Sequence, residues 1–203
     1  MFSIKQKTIN EIIVKKSRFI AIALPVKNEN SIKKNLKMFK KEYPNASHYT
    51  YAYILEDNGL IQKATDDGEP TRTAGYPILE VLLKQKLTYI LLVIIRYFGG
   101  IKLGTGGLIR AYTNAASKVL EYCEFTHKQT IYTCKVRADY NHIGNIDRFL
   151  RESSNLINVS YDKEITFIFK INATNYDQIK EQLFQKNNFE NKLEIIDEFS
   201  DYI

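Results

Sequence analysis

The sequence predicts an α+β protein built as two domains, residues 1–125 and 130–203. Short runs of alternating apolar residues are interleaved with short amphipathic helical segments throughout the chain. From about residue 129 the elements read β-α-β-β-α-β, the split ferredoxin-like order. The charge also changes sign along the chain. Through Thr130 there are 20 Lys and Arg against 11 Asp and Glu, a balance of +9; from Ile131 onward there are 9 against 12, a balance of −3. A polar stretch, Thr126–Thr130, reads as the linker between the two.

The elements follow in order. Residues 8–24 are extended, with Ile9, Ile12, Ile13 and Val14 ahead of Phe19–Leu24 and Pro25. Ile32, Leu36, Phe39 and Tyr43 repeat at helical spacing over residues 29–43, with Lys33, Lys37, Lys40 and Lys41 opposite. Asn28, Asn30 or Ser31 caps that helix, and Pro44-Asn45 ends it. His48–Leu55 is a Tyr-rich strand, Asn58-Gly59 a turn and Leu60–Thr65 the return strand. A polar loop, 66–73, leads to a helix at about 75–86 with Pro77 in its first turn. Residues 89–95 form a buried strand, 96–107 a Gly-rich loop, and the segment from Leu108 to about residue 123 a helix. The second domain reads as strand 129–139, helix 142–152, strands 156–160 and 164–171, helix 176–186 and strand 193–199.

Several function classes fall away on composition. The longest apolar run, Tyr89–Ile95, is far short of the ~20 residues of a membrane span, and the first residues carry no apolar signal core. Two cysteines, Cys123 and Cys134, argue for a reducing compartment. A cytoplasmic protein without membrane association is expected. Cys123, His127, Cys134 and His142 match no zinc spacing, so no metal is expected, and no other cofactor is expected either.

The densest chemistry lies in Arg96-Tyr-Phe-Gly-Gly-Ile-Lys-Leu-Gly-Thr-Gly-Gly-Leu-Ile-Arg110. Five of the chain's nine glycines stand here: Gly99, Gly100, Gly104, Gly106 and Gly107. A Gly-rich segment running from a strand into a helix lets backbone N–H groups approach an anion at the positive end of the helix. Arg96, Lys102 and Arg110 add cations, Thr105 lies inside the loop, and Tyr97 is the best placed ring for stacking on a base. Thr105 stands where a Walker A loop needs Lys, and Ile109 where a dinucleotide fingerprint needs its third Gly. A second constellation joins His48 to Asp66, Asp67 and Glu69, residue types suited to acid–base work or Mg²⁺ binding. A solvated acidic loop is the plainer reading of it. Tyr49, Tyr51 and Tyr53 alternate on one strand face and read mostly as core.

Asp66-Asp-Gly-Glu-Pro-Thr-Arg-Thr-Ala-Gly75 together with Arg96–Tyr112 resembles the signature of the IMPACT/YigZ family, and Lys16-Ser-Arg-Phe-Ile20 and His48-x-x-x-Ala52 also fit. The resemblance covers about residues 1–125, and the tail resembles the small C-terminal domain of bacterial members. It implies an N-terminal fold like the second domain of ribosomal protein S-five and a tail like the ferredoxin-like domains of elongation factor G. It also implies RNA or ribosome association in translation. A protein partner in translation control is implied by the eukaryotic relatives, which restrain an amino-acid-starvation kinase. Two positions depart from the pattern: Thr71-Arg72 stands where the family usually has Ser-Gly, and Thr50 where it usually has Cys. The leading expectation is a non-enzymatic RNA- or ribosome-associated protein that holds an anionic backbone at the Gly-rich loop. The alternative is an enzyme, or a nucleotide or phosphorylated-metabolite binder, with its site between loops 66–73 and 96–107.

Overall fold

The structure, a computed structural model, describes residues 1–138, 140, 143–187 and 193–202. The chain divides into two compact units, residues 1–127 with Tyr202, and 128–201.

The first unit is built on a five-stranded antiparallel sheet in the order β2-β3-β6-β4-β5. Its strands are β2 (Thr8–Val14), β3 (Ser17–Pro25), β4 (His48–Leu55), β5 (Ile61–Thr65) and β6 (Ile90–Tyr97). Strand alternation assigns the two faces. Phe19, Ala21 and Ala23 of β3, Ala52 and Ile54 of β4, and Ile90, Leu92 and Ile94 of β6 meet α2 (Gly75–Lys84) and α3 (Thr105–Glu121). Ile20, Ile22, Leu24, Tyr53, Leu91, Val93 and Ile95 meet α1 (Glu29–Glu42). β6 therefore reads as a continuous apolar run because both its faces are covered. Asn28 caps α1: its side chain accepts the Ser31 N–H at 2.9 Å, and the Ser31 hydroxyl lies 3.4 Å from the Asn28 N–H.

Three expectations change. Residues 8–24 are two strands, not one extended run: Lys15 and Lys16 (φ 45° and 67°) make the two-residue turn between β2 and β3. The sequence hides it because such a turn normally announces itself with Asn or Gly. Residues Thr105–Gly107 belong to the first turn of α3, so the loop proper is 98–104. Thr126–Thr130 is strand rather than linker. β7 (Phe125–Ala138) runs through it because Phe125–His127 pair with β1 (Phe2–Ile4), an element the sequence did not announce.

The second unit follows the expected element order. After β7 come α4 (Ile143–Ser153), β8 (Asn155–Tyr161), β9 (Ile165–Asn172), a short 3₁₀ turn, α5 (Tyr176–Asn187) and β10 (Leu193–Tyr202). Its strands lie in the order β10-β7-β9-β8. Cys134 and Val136 of β7 and Phe167 and Phe169 of β9 pack under Ile146 and Leu150 of α4 and Ile179 and Leu183 of α5. His142, expected at the start of α4, lies outside the described residues. Among the described residues no helix is long and apolar enough to cross a membrane.

Candidate functional site

Strand parity brings five distant residues to one end of the α2/α3 face. In register, Arg96 of β6 lies between Phe19 of β3 and His48 of β4. Ser17 and Thr50 fall on the same face two residues away along their strands. The loop after β5 closes over them. Asp67 and Gly68 have φ of 43° and 87°, and the Glu69 N–H donates to the Asp66 carbonyl at 3.0 Å. Both central residues of this turn are left-handed, a conformation that Asp-Gly adopts readily.

That turn drives Glu69 inward. Its Oε1 accepts from Arg96 Nη1 at 2.5 Å and from the Tyr112 hydroxyl at 2.7 Å, and His48 Nε2 lies 3.8 Å away. Arg96 is 4 % exposed and Glu69 8 %. Arg96 Nη2 reaches Ser17 Oγ at 3.4 Å, its guanidinium lies 5.3 Å from the centre of the Phe19 ring, and its Nε is buried without a hydrogen-bond partner among the described residues. Burial, and then the adjacent Glu69 carboxylate, push the Tyr112 phenol far above its ordinary value. Thr50, one of the two departures from the family pattern, donates its hydroxyl to the Ile94 carbonyl at 3.0 Å.

The other two carboxylates of the constellation hold backbone. Asp66 accepts the N–H groups of Arg72 at 2.8 Å, Ala74 at 3.0 Å and Gly75 at 2.9 Å, capping the start of α2. Asp67 accepts the Tyr49 N–H at 2.7 Å, and its carbonyl contacts His48 Nδ1 at 2.8 Å. The constellation is thus drawn apart into a loop-holding network. Among the described residues no three His, Cys, Asp or Glu side chains converge as a metal set. Arg72, the second departure, has φ 63° and stacks its guanidinium on Tyr76 at 4.1 Å. Left-handed backbone explains why glycine suits that position.

The Gly-rich segment divides into an inner and an outer part. Gly99 lies against the β2–β3 turn: a Cβ there would stand 2.1 Å from the Lys16 carbonyl carbon, and its N–H donates to Ser17 Oγ at 3.1 Å. Gly104 takes φ 71° as the residue before α3, and among the described residues no side chain caps that helix start. Gly100, Lys102, Thr105, Gly106 and Arg110 are exposed, and Gly107 is half-buried. Gly106 has room for a Cβ, whose nearest neighbour would be Arg110 Nη1 at 3.6 Å.

Arg96 is therefore not a surface cation, and it does not join Lys102 and Arg110. Lys15, in the turn that Gly99 packs against, is the cation that lines a groove with Arg110. Tyr97 is half-buried, donates its hydroxyl to the Pro44 carbonyl at 3.1 Å and lies beneath the Arg18 guanidinium. The neighbouring Phe98 is the exposed ring, at 49 %. Strand alternation past Ile95 is the signal that would have turned Arg96 inward. Nothing in residue type marked Lys15, Lys16 or Phe98.

The fold and the site define a two-unit α+β protein with a buried ion pair beneath a basic, glycine-built rim. The Impact N-terminal domain matches residues 15–120, and the chain belongs to the IMPACT family. It is similar to the IMPACT family member YvyE of Bacillus subtilis strain 168, 41 % identical over 82 % of this chain and 77 % of that protein. It is also similar to the IMPACT family member YigZ of Escherichia coli K12, 31 % identical over 73 % of this chain and 74 % of that one. A solved structure described as that of a hypothetical protein superposes with a TM-score of 0.62, at 26 % identity over 97 % of each chain.

Proposed function

We propose that this protein is a non-enzymatic, RNA- or ribosome-associated protein acting in translation. On this reading the first unit is a domain of the ribosomal protein S-five second-domain type, the second is ferredoxin-like, and the anionic backbone sits on the first. One observation carries the reading. Lys15 and Arg110 line one groove beside the first turns of α3, Lys16 shares the turn that Gly99 packs against, Lys102 stands three residues ahead of the helix, and none of the four makes an ion pair among the described residues. Unpaired cations beside free backbone N–H groups at a helix N-terminus suit phosphate. The carboxylates that would serve an enzyme are instead occupied by backbone N–H groups, Arg96 and Tyr112.

The test is co-sedimentation with ribosomes and binding to structured RNA across a salt series. Log K is expected to fall linearly with log[salt], by ~0.7–0.9 per phosphate neutralised. Lys15→Ala, Lys102→Ala and Arg110→Ala should each lower that slope by about 1, while Lys33→Ala on α1 leaves it unchanged. Equal losses at all four positions, or no binding at low salt, would overturn the reading. A stoichiometric protein captured from RNase-treated lysate would replace it with a protein partner.

A further inference from the structure

Beside the basic rim lies an open groove of about 430 Å³ between the end of β2 and the first turns of α3. Val14, Leu103 and Ala111 give it apolar walls, and Lys15, Arg110 and Asn114 its polar edge. The Asn114 amide makes no hydrogen bond to the chain among the described residues, so both its donor and its acceptor face solvent. One residue before Gly99, Phe98 has its N–H tied to Ser47 Oγ at 3.1 Å and the Arg96 guanidinium 5.6 Å from its ring centre, and the rest of the half-exposed ring faces solvent.

We propose that this groove and Phe98 take unstacked bases, so that the ligand of the rim is single-stranded RNA rather than a duplex. The inference rests on the RNA reading above and narrows it. A duplex presents phosphates but hides the faces of its bases. An exposed phenylalanine and an apolar slot have no use for a duplex, whereas a single strand offers a planar face to each. The four free cations supply the charge complement for the backbone that links those bases. A free amide at the groove edge can donate to one base-edge group and accept from another.

The experiment is fluorescence anisotropy with labelled eight-nucleotide oligouridylate, an RNA duplex of the same length, and polyglutamate as competitor, all at one salt concentration. The single strand is expected to bind at least ~10-fold more tightly than the duplex. Phe98→Ala should weaken the single strand by roughly 5- to 150-fold, the loss of one stacked base, and leave the duplex unchanged. Asn114→Ala should alter the ratio of oligouridylate to oligoadenylate binding, a readout that does not depend on how Phe98→Ala folds. Equal binding of duplex and single strand, with Phe98→Ala silent and the salt slope intact, overturns this inference and leaves the RNA reading standing. Displacement by polyglutamate as effective as by RNA overturns it in favour of an acidic protein. Binding of neither RNA at low salt overturns both.

Discussion

Glu69 is the residue on which the site's interior turns. A single carboxylate oxygen receives a strand guanidinium and a helix phenol, within reach of the His48 imidazole. Taking a carboxylate and a guanidinium out of water is costly, and the pair is tolerated only because each neutralises the other. Glu69→Ala therefore leaves Arg96 charged, buried and unmatched. The expected loss is ~3–5 kcal/mol, seen as a lower urea midpoint with an unchanged slope. Replacing both partners by Met should recover much of that loss, because an apolar pair of similar volume leaves no uncompensated charge. A double variant no more stable than the single one would show that Glu69 acts through something other than Arg96.

At the scale of elements, the loop between β6 and α3 depends on a close approach. Gly99→Ala would drive a Cβ into the Lys16 backbone, and backbone cannot rotate aside as a side-chain tip can. A destabilisation of at least ~1–3 kcal/mol is expected, with NMR shifts changing at both the 98–104 loop and the Lys15-Lys16 turn. Changes confined to the loop would contradict the contact. The helices and most strands were legible because periodicity reports burial: Ile32, Leu36 and Phe39 on α1, and the unbroken apolar run of β6. Arg96 was legible in principle, since it continues the alternation of Ile90, Leu92 and Ile94. The Lys15-Lys16 turn was not, because residue type ordinarily signals left-handed backbone and here it does not. β1 and the start of β7 escaped for another reason. Their pairing is between residues ~120 apart, and neither segment carries an apolar pattern that announces it.

Across the whole molecule, each unit holds one cysteine in its core, Cys123 in the first and Cys134 in the second. Burial raises both thiols, Cys134 to about 11. A thiol that is both covered and protonated is a poor nucleophile. Neither is expected to react with an aromatic disulfide reagent at pH 8 in the native protein, and each becomes reactive when its own unit opens. Mass spectrometry of labelled protein along a urea series then reads the two units separately. Rapid labelling of either cysteine without denaturant would contradict the burial described here.

The turn joining β2 to β3 sets durability against charge. Lys15 and Lys16 hold a conformation that costs lysine ~1–2 kcal/mol at each position and that Asn-Gly adopts at little cost. A laboratory selection that rewards only survival after heating should therefore find this turn early. The variants it returns will be harder to melt, and two of the four rim charges will have gone with the strain.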